Sequence, residues 1–303
     1  MRKILLFIIF LCLNSCGNGQ RIIDSNLLEC IEKLEVTADD EVTELYCQHM
    51  EVKDLSGIGR FKNLNTLYLE HNQIKSIVPL GSLTELKSVY LSYNPVLQYS
   101  TFQLLPKISQ ISISSFNIDD IRTIASVRSI EYLGLEGSEL TDEMIMELGL
   151  LPDLLHLGFD STGMNSFPNL ESLESLAWLS IQNENNLTDM SNIELLTNLV
   201  YLSISEVSHD ISYIKALTEL EHLTISGEDT LELETISKLD KLKYFDIYNS
   251  GLTGDISLLA NMSTIESLKV LNVYTLTCDE LRTLEDTFGD IYFKHFEDQP
   301  CIE

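Results

Sequence analysis

Apolar residues recur along the chain in a short pattern, in which two of them flank a single residue and further leucines precede the pair. One copy places Leu64, Leu67 and Leu69 ahead of Ile74 and Ile77. The first apolar residue of each pair falls at Leu45, Leu67, Val89, Ile111, Leu133, Leu157, Leu179, Leu202, Leu223, Phe245 and Leu271. The intervals between them are 22, 22, 22, 22, 24, 22, 23, 21, 22 and 26 residues. Self-similarity at this period predicts an array of stacked coils.

Each apolar pair predicts a short strand, because alternate side chains of a strand point to opposite faces. The two apolar side chains then point into the coil, and the residue between them points outward. One coil cannot bury its leucines alone, so neighbouring coils supply the core. The pattern therefore predicts parallel strands lying side by side, with one face turned to solvent.

The repeat resembles that of the leucine-rich repeat family, and its length resembles the bacterial internalin-like subclass, over about residues 40–293. The resemblance implies an α/β solenoid: a horseshoe with a curved parallel β-sheet on its concave face, of about eleven coils plus terminal caps. The family places an Asn after each strand, where its amide bonds the backbone of adjacent coils. Asn72 and Asn94 match this feature. Other residues hold the equivalent place at Ser138, Thr162, Val207, Glu228 and Ser250.

Both ends of the array need a cap, since a terminal coil otherwise exposes its leucines. We predict an N-terminal helical cap over residues 26–41, leucine-rich repeats over 42–275 and a C-terminal cap over 276–303. Within the last segment, residues 279–288 have the pattern of a helix and 290–293 that of a final strand. The four cysteines in these regions predict two disulfides, Cys30 with Cys47 and Cys278 with Cys301. Free or metal-binding thiols are the alternative, which the absence of Cys-x-x-Cys disfavours.

The first residues predict an export signal. Arg2 and Lys3 precede an apolar run over residues 4–13, which is too short to cross a bilayer as a permanent helix. The following Leu-Asn-Ser-Cys, ending at Cys16, resembles the lipobox of bacterial lipoproteins. That resemblance implies a signal peptide over residues 1–15, acyl chains such as palmitate on Cys16, and a tether over 16–25. The alternative is ordinary secretion with Cys16 as an odd thiol. We expect a lipid-anchored protein of the cell envelope, on the outer membrane or cell surface.

The charge excludes several classes of partner. Lys and Arg number 19 against 47 Asp and Glu, which gives a net charge of −28. Removal of Arg2 and Lys3 with the signal peptide leaves 17 against 47, or −30. So negative a chain argues against binding to nucleic acid or to anionic lipid surfaces. We therefore expect contact with the membrane through the lipid anchor only.

The repeat register also predicts what the outward face of the sheet carries. Neither Lys nor Arg falls on it, whereas most of the tyrosines and the single Trp do. Exposed aromatic residues are typical anchors of binding surfaces. The residues that we predict to bind a partner are Tyr68, Tyr90, Tyr132, His156, Trp178, Tyr201, His222, Tyr244, Tyr248 and Tyr274. The missing basic residues and the nearby carboxylates favour a cationic or neutral partner. Stabilisation of an exposed sheet by tyrosines is the alternative explanation.

Motifs for catalysis are absent from the sequence. It contains no His-Glu-x-x-His, no Gly-x-Ser-x-Gly and no glycine-rich phosphate loop. We expect neither an enzyme nor a cofactor nor a metal. The expected function is non-enzymatic recognition of a protein ligand by a surface-anchored chain, and the family resemblance implies adhesion. The alternatives are a glycan-binding envelope lipoprotein and a structural envelope protein without a dedicated ligand.

Overall fold

The structure is a computed structural model that describes residues 21–34, 36, 38–206, 211–227, 230–273 and 275–292. The chain divides into two compact units, the first ending at Glu136 and the second beginning at Gly137. The predicted signal peptide, Cys16, Tyr274 and Cys301 lie outside the described residues. No helix among the described residues is long and apolar enough to span a membrane.

The first unit consists of short strands joined by turns of 3-10 helix or, between β4 and β5, by a short α-helix. Its helices and strands are α1 (Ser25–Glu32), β1 (Glu44–Tyr46), β2 (Thr66–Tyr68), β3 (Ser88–Tyr90), β4 (Gln110–Ser114), α2 (Ile118–Ala125) and β5 (Tyr132–Glu136). Turns of 3-10 helix occur at Asp39–Glu41, Ile58–Arg60, Val78–Ser82 and Ser100–Leu104. The strands β1 to β5 pair in parallel and in chain order.

The second unit repeats this arrangement. It contains α3 (Asp142–Leu148), β6 (His156–Asp160), β7 (Trp178–Gln182), β8 (Tyr201–Ser205), β9 (His222–Ser226), β10 (Thr230–Glu232), α4 (Leu233–Ile236), β11 (Tyr244–Tyr248), β12 (Gly251–Thr253), α5 (Ser257–Ala260), β13 (Ser267–Leu271) and α6 (Cys278–Tyr292). Further 3-10 turns lie at Ser191–Leu195 and Ser212–Ala216. The sheet runs in the order β6-β7-β8-β9-β11-β13, while β10 and β12 pair separately.

The leucines of the repeat form the core. In the strands β1 to β3, Leu45 pairs with Leu67 and Leu67 with Val89, and all three are fully buried. Burial of such a side chain contributes about 1.5–3 kcal/mol, so the stacked leucines hold successive coils together. The predicted inward register is confirmed from β1 to β11, and the fold is the predicted α/β solenoid of leucine-rich repeats.

The chain leaves each repeat strand through one left-handed residue. These residues have positive φ and lie four places after the first core residue of each strand, at His49, His71, Tyr93, Ser115, Gly137, Ser161, Asn183, Glu206, Gly227, Asn249 and Asn272. Positive φ is uncommon for residues other than glycine, so its return once per coil is a property of the repeat itself.

The predicted register of the last repeat is wrong. Leu268 and Val270 are the buried residues of β13, and Phe245 pairs with Leu268 rather than with Leu271. The sequence contains Leu-x-Val twice in succession, at 268–270 and at 271–273, so the pattern does not distinguish the two. The left-handed residue Asn272 lies four places after Leu268, which agrees with the strand pairing. Ser267, Lys269 and Leu271 therefore take the outward places.

The Asn residues after β2 and β3 link adjacent coils. The Asn72 amide donates to the carbonyl oxygens of Cys47 and Leu69, at 2.7 and 2.8 Å. Its Oδ1 accepts from the backbone N–H groups of Met50 and Val52. Buried polar backbone groups need such partners. One side chain thus satisfies backbone groups of two coils.

In the second unit, Glu184 holds the corresponding place after β7 and is fully buried. Its Oε1 accepts from the backbone N–H and the hydroxyl of Thr162, at 2.6 and 2.9 Å. Its Oε2 accepts from the backbone N–H of Met164 at 3.3 Å. A carboxylate can replace Asn here because backbone donors of the preceding coil surround it.

The caps follow the prediction in part. Helix α1 is present, and Cys30 and Cys47 form a disulfide with their Cα atoms 5.7 Å apart. Cys278 is also disulfide-bonded. The predicted strand at 290–293 is wrong over 290–292, which belong to α6 beyond a break at Gly289. The described sheet ends at β13, and a strand-like sequence needs a neighbouring strand to pair with.

Candidate recognition surface on the sheet

Every repeat strand presents three outward rows of side chains. The first row precedes the first core residue, the middle row lies between the two core residues, and the third row follows the second. We define the aromatic row as the first row of β6 to β11, formed by His156, Trp178, Tyr201, His222 and Tyr244. We define the tyrosine row as the middle row of β1 to β3, formed by Tyr46, Tyr68 and Tyr90.

The side chains of the aromatic row stack on one another across the strands. The ring centroids of Trp178 and Tyr201 lie 4.5 Å apart, with an interplanar angle of 11°. His222 stacks on Tyr244 at 4.3 Å, and His156 lies 4.9 Å from Trp178. Stacking follows from the strand pairing, which places Trp178 directly beside Tyr201 and Tyr201 beside His222. The second unit therefore carries a continuous ladder of rings.

Inside this ladder neighbouring rings cover the ring faces and leave the edges to solvent, whereas Tyr244 at its end has Ser267 on its outer side. Trp178 is 40% exposed and Tyr244 37% exposed. The middle row of β6 to β9 holds only small side chains, at Gly158, Ser180, Ser203 and Thr224, and that of β11 holds Asp246. The large rings of the first row rise above the small residues of the middle row, which leaves a shallow depression beside the rings into which another protein surface can pack.

The tyrosine row of the first unit stacks in the same way but one row over. Tyr46 lies 4.6 Å from Tyr68, and Tyr68 lies 4.8 Å from Tyr90, with nearly parallel rings. Tyr132, in the first row of β5, meets Tyr90 edge to face at 6.2 Å. Tyr46 is 55% exposed. Burial, followed by the neighbouring Tyr68, raises the pKa of Tyr90 to about 12, so its hydroxyl stays protonated at neutral pH.

A second stack in the first unit was not predicted. His49 lies 4.2 Å from His71, and His71 lies 4.3 Å from Tyr93. These are the left-handed residues that follow successive strands, and their 22-residue spacing is the signal that could have revealed them. Burial, and then the charge of His49, lowers the pKa of His71.

Glu70 lies in the third row, just after β2. In the sequence it falls between Tyr68 of the tyrosine row and His71 of the second stack. Its Oε2 is buried and has no hydrogen-bond partner. Burial raises the pKa of Glu70, and a hydrogen bond from its own backbone N–H together with His49 opposes that shift. A carboxylate oxygen buried without a donor is costly.

The structure brings the predicted site residues together in two groups. Tyr68, Tyr90 and Tyr132 are in contact in the first unit, and the aromatic row forms the ladder of the second. Tyr248 lies in the third row of β11, where its hydroxyl donates to Asp246 at 3.1 Å.

The expectation that no basic residue faces outward is wrong at β13. Lys269 takes the middle row and donates to the same Asp246 carboxylate at 2.7 Å. The error follows from the misplaced register of the last repeat. That register also placed Tyr274 on the outward face, and β13 ends before it.

Metal chemistry is not visible in the described parts of the chain. There, no three His, Cys, Asp or Glu side chains come together in a way that could hold a metal ion.

Comparison with known proteins supports the fold. A family profile described as Leucine Rich repeats (2 copies) matches residues 62–107. A search of curated proteins finds no match. The crystal structure of an internalin (inlF) from Listeria monocytogenes is similar at 21% identity and a TM-score of 0.56, covering 91% of this chain and 92% of that one. An internalin C2 (inlC2) from the same species is 19% identical with a TM-score of 0.43, over 84% and 98% of the two chains. The chain therefore has the fold of a leucine-rich repeat protein, similar to that of an internalin.

Proposed function

We propose that the chain is a non-enzymatic recognition protein that binds a protein partner through the outward face of its sheet. The observation that supports this most is the aromatic row beside its small neighbours. Rings that are rigid and carry a polar tip give contact area at low entropic cost. Aromatic anchors of this kind dominate the energetics of many protein interfaces.

The ring geometry favours a protein over a glycan. A sugar stacks on the open face of an aromatic ring. Trp178 has His156 at 4.9 Å and Tyr201 at 4.5 Å, so adjacent rings take up its faces. Ring edges, with the indole N–H and the phenolic hydroxyl, are left for a partner that supplies side chains and backbone groups.

We further propose that the protein is exported and held at the cell envelope by acyl chains on Cys16. The lipobox-like sequence before Cys16 supports this, and stable anchoring requires more than one chain. Mass spectrometry of the mature N-terminus should find an acylated Cys16. An unmodified N-terminus at Gln20 or Arg21 would refute the anchor.

Crosslinking on intact cells tests the partner proposal. The chain is compared with the double variant Trp178→Ala, Tyr201→Ala and with the control Leu104→Ala, Met146→Ala. The control removes exposed apolar side chains that lie off the strands, in the turn Ser100–Leu104 and in α3. We expect a protein that crosslinks to the native chain and to the control but not to the double variant. Equal crosslinking by all three, or recovery of glycan alone, would contradict the proposal.

A further inference from the structure

One carboxyl oxygen of Glu70 lacks a hydrogen-bond donor, and nothing in the fold supplies one. Its Oε2 is the one side-chain oxygen or nitrogen of the described residues that is buried without a hydrogen-bond partner. Buried polar groups are almost always paired, and an exception calls for a cause such as a missing ligand. The acid also lies on the outward side of the strands, where a partner can reach it.

The surroundings of Glu70 are fixed by the backbone. Its carbonyl accepts from the N–H of His49 at 3.1 Å, and the N–H of His71 donates to Ser92 at 3.0 Å. Glu70 thus lies in the third row between Gln48 and Ser92. Tyr68, two residues earlier on the same face, is held between Tyr46 and Tyr90 by the ring stack. Residues of the neighbouring strands thus flank Glu70 on both sides, while its side chain as a whole is only half-buried and open to a partner.

The other charged side chains in the outward rows of β1 to β5 are carboxylates, and the rings in these rows are phenols. Glu44 accepts from the hydroxyl of Tyr46, and Glu136 accepts from Ser112 at 3.4 Å. The titratable groups on or beside the face of β1 to β5 are Glu44, Tyr46, His49, Tyr68, Glu70, His71, Tyr90, Tyr93, Tyr132 and Glu136. Among these described strands, none of the outward places holds Lys or Arg. The strand faces of this unit thus supply carboxylates and no permanent cation to balance them.

We infer that Glu70 binds a basic side chain, lysine or arginine, of the protein partner, with the tyrosine row beside it. An ammonium or guanidinium group supplies the donors that Oε2 lacks, and hydrogen bonds between charged groups are the strong ones. This inference rests on the proposed function and names the chemistry that this part of the face recognises.

Peptide binding tests the inference directly. The full chain is titrated with a fluorescein-labelled peptide of alternating glycine and arginine, and with the same peptide carrying neutral citrulline, at about 0.15 M ionic strength so that long-range attraction is screened. The variants are Glu70→Gln and, as the control, Glu32→Gln. Glu32 is an exposed acid of α1, so its replacement makes the net charge less negative by the same single unit. The amide of Glu70→Gln keeps the shape of the acid.

We expect Glu70→Gln to weaken binding of the arginine peptide by about tenfold, as loss of one hydrogen bond between charged groups implies. The control should change it less than twofold, and citrulline peptide binding should be weak for all chains. The melting temperature of Glu70→Gln should equal or exceed that of the native chain, which shows that folding is not the cause. Equal weakening by both variants, or none by Glu70→Gln, would overturn the inference.

Failure here is distinguishable from failure of the proposed function. If crosslinking depends on Trp178 and Tyr201 while the arginine peptide ignores Glu70, the recognition role stands and the basic-side-chain site does not. Tyr68→Phe offers a second check, because it removes only the hydroxyl of the ring that lies two residues before Glu70 on the same face. We expect it to weaken binding of the arginine peptide less than Glu70→Gln does. An effect as large as that of Glu70→Gln would place the recognition on the phenols instead.

Discussion

The two units build the same strands but place their rings in different rows. In the first unit the tyrosine row occupies the middle positions, with Glu70 in the row beside it. In the second the aromatic row occupies the first positions, and Gly158 and its small neighbours fill the middle. The strand pairing is the same in both units, so the repeat determines only the positions of the outward side chains and not their identity. The chemistry of each face is set by the residues placed in those rows.

The links between coils show a second contrast. Asn72 donates to carbonyl oxygens and accepts from N–H groups. Glu184 accepts only, from Thr162 and Met164. In another coil of the second unit, the Ser250 hydroxyl donates to the carbonyl oxygens of Gly227 and Tyr248, at 2.8 and 2.9 Å. One structural task is divided among several side chains.

The largest expected effect is that of Asn72→Ala in the first unit. It would leave two N–H groups and the carbonyls of adjacent coils without their buried partner, at a cost of about 3–4 kcal/mol in the free energy of unfolding. Urea denaturation measures it. The control Asn63→Ala removes one exposed bond to Asp40, and we expect a loss below about 1 kcal/mol. Equal losses would show that the buried amide has no special role.

The corresponding change in the second unit, Glu184→Ala, should cost less, about 2–3 kcal/mol. Three hydrogen bonds are lost, but removal of the carboxylate also relieves the burial of a charge. Glu174, which is exposed, provides the matched control in Glu174→Ala. A chain that tolerates Glu184→Ala as well as the control would refute a linking role for this acid.

The ring pairs should matter little to stability in either unit. Loss of both rings in Tyr46→Ala, Tyr68→Ala removes their mutual stack and the stack on Tyr90. Loss in Trp178→Ala, Tyr201→Ala removes their mutual stack and the contacts with His156 and His222. The side chains in both pairs are partly exposed. We expect each double variant to lose about 1–2 kcal/mol. Thermal denaturation compares the two. A loss of several kcal/mol confined to the second pair would favour sheet stabilisation as the purpose of the aromatic row.

The smallest effect concerns the pH dependence that Glu70 adds. Because burial raises its pKa above the ordinary value of 4.5, the folded chain holds a proton there more tightly than the unfolded chain does. Stability contributed by this group is therefore lost as the pH rises from the ordinary value through the raised one. Glu70→Gln should melt higher than the native chain at pH 7 and equally at pH values well below the ordinary pKa. The exposed control Glu174→Gln should show no such pH-dependent difference in melting temperature. A lower melting temperature of Glu70→Gln than of the native chain at pH 7 would contradict the account.

The repeat period predicted the fold because it reports the core directly. Leu67, Leu69 and their equivalents must be apolar, and their spacing alone places the strands and the outward rows. The period fails where two choices satisfy the same pattern, as with Leu268 and Leu271. Only the pairing of β13 with β11 decides between them.

The sequence predicted which residues of the candidate site share an outward row of the sheet, but not the contacts that their side chains make. The sequence placed Trp178 beside Tyr201, but the stack of His49 on His71 needs the left-handed turn after each strand. The burial of Glu70 Oε2 depends on how neighbouring side chains pack over it. The 22-residue spacing of His49, His71 and Tyr93 was a signal for that stack, whereas the burial of Glu70 Oε2 has no local sequence signal.

The central claim is that the aromatic row exists to be covered by a protein partner. Trp178 is the single tryptophan of the chain, so its fluorescence reports this row without a label. We predict that addition of the crosslinked partner, in a tryptophan-free form, shifts the Trp178 emission to the blue and protects it from iodide quenching, in both cases saturably. A partner that binds the chain while the emission and the quenching of Trp178 stay unchanged would contradict the account.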